Sequence, residues 1–122
     1  MEIIPYDKRS GKIWFNGENI DWSKAQVHLL SHGLHYASCV FEGIRVYDGE
    51  IFKIDQHTDR LFHSAKRMGM NVPFSKEVIS EATKQIVNIQ TPRSSRSSHT
   101  SDLHTVIGLA FSMSWNINRT AV

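Results

Sequence analysis

The sequence has a single cysteine, Cys39, among 122 residues. No internal disulfide can staple the fold, and a reducing compartment is expected. Charge of one sign is also scarce, with a formal net charge of +2. Residues 1–90 carry eleven Lys and Arg against eleven Asp and Glu, and residues 91–122 carry three Arg against one Asp. A neutral body with interspersed signs offers no footprint for a phosphate backbone, so no nucleic-acid partner is expected. Long apolar runs are missing as well: after the N-terminus the longest is "VIGLAF", six residues. The opening "MEIIPYDKRSG" shows no basic-then-apolar leader pattern. Neither a membrane span nor secretion is expected, and the chain reads as cytoplasmic.

What is present reads as strands followed by helices. In "KIWFNGENIDW" (residues 12–22), Asn16-Gly17 separates two short apolar segments. Both residues tolerate positive φ, so the pair predicts a β-hairpin with a type I′ turn. "AQVHLL" (25–30) is a further strand candidate, and "SHGLHYASC" (31–39) reads as a loop with a helical turn. "VFEGIRVY" (40–47) runs through Asp48-Gly49 into "EIFKI", a second hairpin of the same kind, with Gly43 a candidate bulge or close-approach point. Asp55 is expected to cap a helix to about Met68, with Leu61, Phe62, Ala65 and Met68 on one face and Gly69 as its stop. Ser75 is expected to cap a second helix, whose Val78, Ile79, Ala82, Ile86 and Val87 keep the 3.6-residue period. Such an order fits an α+β fold, an antiparallel sheet with two helices packed on one side, over residues 1–90. Residues 91–102 are Ser- and Thr-rich and read as a flexible linker. Residues 103–122 form a tail that alternates at Phe111, Met113, Trp115 and Ile117, read as an edge strand or as disordered.

Among chemical candidates, His28, His32 and His35 raise a metal reading. His28 and His32 would share a face on a continuous helix, but Gly33 and the preceding residues argue against one, and no second Cys or carboxylate set completes a shell. Structural histidines and no metal site are the expectation. Cys39 at the start of an apolar run reads as a small buried residue rather than a nucleophile. Arg45 and Arg60 are harder to place from spacing alone. Arg45 either points to solvent or pairs with Glu42 or a ligand anion; Arg60 poses the same choice near the start of a helix, with phosphate or carboxylate the expected ligand type.

"IWFNGE" (13–18), "VHLLSHGLHY" (27–36), "VFEGIRVY" (40–47) and "HTDRLFHSAKRM" (57–68) together closely resemble the N-terminal domain of branched-chain amino acid aminotransferases, pyridoxal-phosphate enzymes of fold type IV. The resemblance covers about residues 10–90. It implies amino transfer between leucine, isoleucine or valine and 2-oxoglutarate on bound pyridoxal 5'-phosphate, with branched-chain amino acids and 2-oxo acids as small-molecule partners and a homo-oligomer as the assembly. It assigns Arg60 to the cofactor phosphate, Tyr36 and Phe41 to the branched side-chain pocket, with Tyr36 reaching across a dimer interface, and Arg45 to the same wall, where it helps place acidic substrates.

The sequence departs from that pattern after Gln90. The resemblance places an Ile-Arg-Pro strand next and the Schiff-base lysine well beyond it, and residues 91–122 read as matching neither. Lys53, Lys66 and Lys84 stand where the family has no chemistry. The expectation is therefore a truncated, inactive aminotransferase with no catalytic residue of its own. The alternative is a non-catalytic fragment that binds a phosphate-bearing ligand or pairs with another subunit.

Overall fold

A computed structural model describes residues 4–90 and 107–112. The α+β class is as expected, and within the described residues the strands form three two-stranded antiparallel ladders. The first is the Asn-Gly hairpin: β1 (Lys12–Phe15) pairs with β2 (Glu18–Asp21), Ile13 opposite Ile20. Asn16 and Gly17 sit at φ 50° and 98°, the double positive φ that a type I′ turn demands.

Residues 25–30 form no strand, contrary to the reading of "AQVHLL". Local bonds take the backbone groups a ladder would need: Ser31 N–H donates to the His28 carbonyl (2.9 Å), and Leu30 N–H to His28 Nδ1 (3.1 Å). The short helix α1 (His32–Tyr36) follows and ends on Ala37 in the left-handed region. Then comes β3 (Cys39–Ile44), paired with β6 (Ile107–Ser112), Gly43 opposite Gly108. That register is continuous through Gly43, so no bulge interrupts it. β4 (Val46–Tyr47) and β5 (Glu50–Ile51) close the second hairpin over Asp48-Gly49, again with both φ positive. The linker expected at 91–102 lies outside the described residues, as does the tail except for β6.

Helix α2 (Ile54–Arg67) begins one residue before the expected cap. Lys53, leaving the hairpin at φ 51°, occupies the cap position, and Asp55 lies in the first turn, where its charge still suits the positive end of the helix. The buried stripe is Thr58, Leu61 and Ala65, whereas Met68 at the C-cap is half exposed. Gly69 ends the helix as expected: its N–H donates to the Lys66 carbonyl, and Met70 N–H reaches back to Ala65 (2.9 Å), the paired bonds of a Schellman motif. Met70 thereby turns into the core beside Ala65. In α3 (Lys76–Gln90), Val78 N–H donates to Ser75 Oγ (3.3 Å), so the predicted cap is present. Ile79, Ala82, Thr83, Ile86 and Val87 are buried, and Val78 is on the exposed side.

The core lies where β3, α2 and α3 meet. Val40, Leu61, Ala65, Met70 and Ile79 form it, flanked by Trp14, Phe62, Val72 and Phe74. Trp14 and Phe74 meet edge to face at 4.9 Å, seating the first hairpin on this cluster. Gln90 Nε2 donates to the Lys12 carbonyl (2.7 Å) and ties the end of α3 to β1. No helix among the described residues is long and apolar enough to cross a membrane.

Candidate active-site wall

Strand periodicity decides which side chains of β3 meet the helices and which do not. Val40, Glu42 and Ile44 are buried, and Phe41 between them is 72% exposed. The inward set packs against α2, so a carboxylate is carried into an apolar layer at position 42. Glu42 is only 4% exposed, and an unpaired charge there would be prohibitive. It is not unpaired. Arg60 Nε donates to Oε1 (2.6 Å), Arg60 Nη2 donates to Oε2 (2.6 Å), and His57 Nδ1 donates to Oε2 (2.8 Å). The Arg60 fork holds the Glu42 carboxyl below the usual carboxylate range; burial opposes this, and the His57 bond adds to it. The same carboxylate raises the pKa of the guanidinium, which stays cationic throughout.

Arg60 and His57 are three apart on α2 and therefore neighbours on its surface. Arg60 stands in the second turn, beyond the reach of the helix N-terminal dipole, so its anion affinity rests on its own charge. Its side chain remains 64% exposed, and Nη1 takes no part in the bonds to Glu42.

Of the other residues singled out from sequence, Arg45 does not pair with Glu42. It is exposed and donates through Nη1 to Tyr47 Oη (3.3 Å), and Tyr47 in turn meets Phe52 edge to face. Phe41 and Arg45 thus stand on the outer side of the β3–β4 segment. Tyr36 is 66% exposed at the end of α1, its ring flanked by His32 (4.9 Å) and His35 (4.8 Å). No hydrogen bond or ring contact among the described residues joins Tyr36, Phe41, Arg45 and Arg60 to one another. Each of the four is exposed rather than enclosed in a cavity. The residues that spacing did not assign to the site are Glu42 and His57. The available signal was partial: Glu42 shares the strand parity of Val40 and Ile44, so it needs a cation once that face is the buried one.

Among the described residues, no group of three or more His, Cys, Asp or Glu could hold a metal ion. His28 lies in the turn before α1, and His32 begins that helix, so the two do not share a helical face. Cys39 is half buried at the start of β3.

Comparison with known proteins matches this architecture. The family model for amino-transferase class IV covers residues 39–110, running past the compositional change at Gln90 and through part of β6. The branched-chain-amino-acid aminotransferase of Pseudomonas aeruginosa is 48% identical over 83 residues, 65% of this chain and 27% of that protein. Its Escherichia coli K12 counterpart is 42% identical over 84 residues, 66% of this chain and 27% of that protein. The chain therefore spans about a quarter of the length of these curated relatives. Among solved structures, a T.th. branched-chain amino acid aminotransferase complexed with N-(5'-phosphopyridoxyl)-L-glutamate superposes with a TM-score of 0.62 at 41% identity, covering 65% of this chain and 28% of that one. The enzyme from Thermoproteus uzoniensis with norvaline gives the same TM-score at 40% identity, covering 66% and 29%.

Proposed function

The chain belongs to the amino-transferase class IV family, and we propose that its residues form the small-domain wall of a branched-chain aminotransferase site. The observation that carries this reading is Arg60: a guanidinium fixed on one edge and open on the other, within the segment that matches the family. An open, permanently charged fork suits a phosphate, and the donor set fits the phosphate of pyridoxal phosphate. When bound, that cofactor supplies the electron sink that lets an amino acid lose its α-proton.

The chain's own residues would act as follows. Arg60 holds the phosphate. Phe41 presents an apolar face to the branched side chain of leucine, isoleucine or valine, and Tyr36 extends that face. Arg45, steadied by Tyr47, offers a cation to the second carboxylate of an acidic substrate. An apolar wall discriminates by about 1–3 kcal/mol per methylene, so Phe41 sets preference rather than reactivity. We assign none of the lysines in residues 4–90 to the Schiff base. Lys12 pairs with Asp21, Lys76 pairs with Asp59, and Lys53 lies over the Phe52 ring at 5.2 Å. On this reading residues 4–90 hold the cofactor phosphate and supply no Schiff-base lysine.

Spectroscopic titration of the purified chain with pyridoxal phosphate, followed by borohydride reduction and peptide mapping, tests both halves. Saturable binding that weakens in Arg60→Met, with no single reduced lysine adduct, is the expected result. Failure to saturate would remove the cofactor assignment, and one stoichiometric lysine adduct would show that one of these lysines is the Schiff base.

A second reading, subunit pairing, is favoured by the exposure of Leu29, Leu30, Leu34, Tyr36 and Phe41. These large apolar side chains cluster in one stretch of sequence, and contiguous exposed apolar surface marks an interface more often than it is left to solvent. Sedimentation of the chain over a range of concentrations separates a self-associating species from a monomer.

A further inference from the structure

Glu42 is the one buried carboxylate among the described residues, and the wall described above gives it no direct contact with substrate or cofactor. We propose that Glu42 is a positioning residue: together with His57 it locks the Arg60 guanidinium in the orientation that receives a phosphate. This rests on the reading of Arg60 as the phosphate contact.

Two parallel bonds, from Nε to Oε1 and from Nη2 to Oε2, fix the guanidinium plane as well as its position. The carboxylate is itself immobile. Its strand is paired with β6, Glu42 opposite Leu109, and its neighbours Val40 and Ile44 are buried. His57 Nδ1 adds a third donor on Oε2, so rotation about the carboxylate would break bonds to two residues of α2 at once. Arg60 Nη2 also lies 3.5 Å from His57 Nδ1, the two donors sharing one acceptor. Because Nε and Nη2 are turned to Glu42, the Nη1 side is the edge available to a ligand.

Two effects of Glu42 on an incoming phosphate oppose each other. Its negative charge lowers the potential at Arg60. Its fork removes the rotamer freedom that a free arginine would lose on binding. The repulsion acts across an exposed edge and is screened by water and salt. The ordering acts in full, so the net effect of Glu42 is to tighten phosphate binding. A carboxylate present only to neutralise Arg60 would have the opposite sign, which makes the proposal testable by direction.

The readout is the ratio of affinities for pyridoxal phosphate and pyridoxal, which differ only in the phosphate. Stability changes cancel in this ratio. Glu42→Gln keeps the shape and one acceptor oxygen but replaces the other with an NH2 donor and removes the charge, so the fork is broken; the ratio should fall about tenfold, the loss expected for one charge-assisted bond. Glu42→Asp should recover part of it. In ¹⁵N spectra of the parent chain, Arg60 Nε–H should give one exchange-protected resonance that disappears in Glu42→Gln. His57→Phe, which leaves the fork intact, should lower the ratio by a smaller factor and decides the matter if Glu42→Gln fails to fold. A ratio that is unchanged or raised in Glu42→Gln, or unchanged in His57→Phe when that variant must decide, overturns the positioning role while Arg60→Met still abolishes the phosphate preference. If Arg60→Met leaves the ratio untouched, the phosphate assignment of Arg60 itself is wrong and the role of Glu42 falls with it.

Discussion

Replacing Leu61 by alanine should remove a large share of the stability of this fold. Leu61 is fully buried, at 0% exposure, where β3, α2 and α3 converge on Val40, Ala65, Met70 and Ile79. The substitution deletes three carbons, worth about 2.4 kcal/mol at ~0.8 kcal/mol per methylene. The unfilled space adds to that, since the helices can close only part of it, and the total should reach about 3–5 kcal/mol. Domains carry about 0.05–0.15 kcal/mol of stability per residue, or roughly 4–13 kcal/mol for a segment of about 90 residues. The loss therefore runs from about a quarter of what is available to all of it. Val78→Ala on the exposed side of α3 serves as control and should stay within about 0.5 kcal/mol. Urea unfolding followed by far-ultraviolet circular dichroism reads both as shifts in midpoint at constant slope. If the two variants melt alike, the three elements do not share one cooperative core, and the seating of Arg60 on β3 loses its basis.

The Glu42 carboxyl is held below its ordinary range, chiefly by the Arg60 fork, so its stabilising contribution is complete above the unfolded value of about 4.3 and is lost as pH falls through the lower folded value. Glu42→Gln should accordingly be less stable than the parent near neutrality, and the gap should narrow on acidification below about pH 4; a gap independent of pH in denaturant melts would contradict the ion pair. Ser75→Ala removes the acceptor for Val78 N–H and should cost about 1 kcal/mol, while Ser75→Asp keeps most of it. Gly69 sits at φ +69°, and a Cβ added there would meet nothing within 4 Å, so Gly69→Ala should cost about 1–2 kcal/mol through backbone conformation alone. Gly69→Asn should cost less, because asparagine tolerates that conformation; equal melts for the two would point to a steric cause instead.

Both hairpins and both long helices could be read from local chemistry because local chemistry decides them. Asn16-Gly17 and Asp48-Gly49 need positive φ at adjacent positions, and Ser75 and Gly69 satisfy helix ends within three or four residues of themselves. Errors arose where a local pattern had no tertiary partner or had a competing one. "AQVHLL" has strand composition, yet His28 and Ser31 bond to each other and to adjacent backbone, and the segment finds no ladder. Asp55 resembles a cap, but the chain leaving β5 already enters the helix at Ile54. Met68 and Val78 fit the apolar period of their helices, and each lies at the margin of the stripe the core covers.

The site shows a different limit. Resemblance assigned a role to Arg60 but left open what holds it, because its partner lies 18 residues away on another element. Spacing alone offered Glu42 to Arg45, three residues along the chain. The strand's own alternation argues against that pairing: Glu42 turns toward α2, Arg45 lies exposed beside Tyr47, and only a helix packed on the inner face can supply the missing cation. "VFEGI" is apolar on both sides of the carboxylate, so its sequence cannot say which face is core and which is wall. Burial identifies the core face through one pair of neighbours. A phenylalanine left 72% exposed beside a glutamate left 4% exposed inverts the usual preference of both side chains. On the reading proposed above, that inversion serves a binding wall, with the apolar group offered outward and the charge turned inward to steady the arginine.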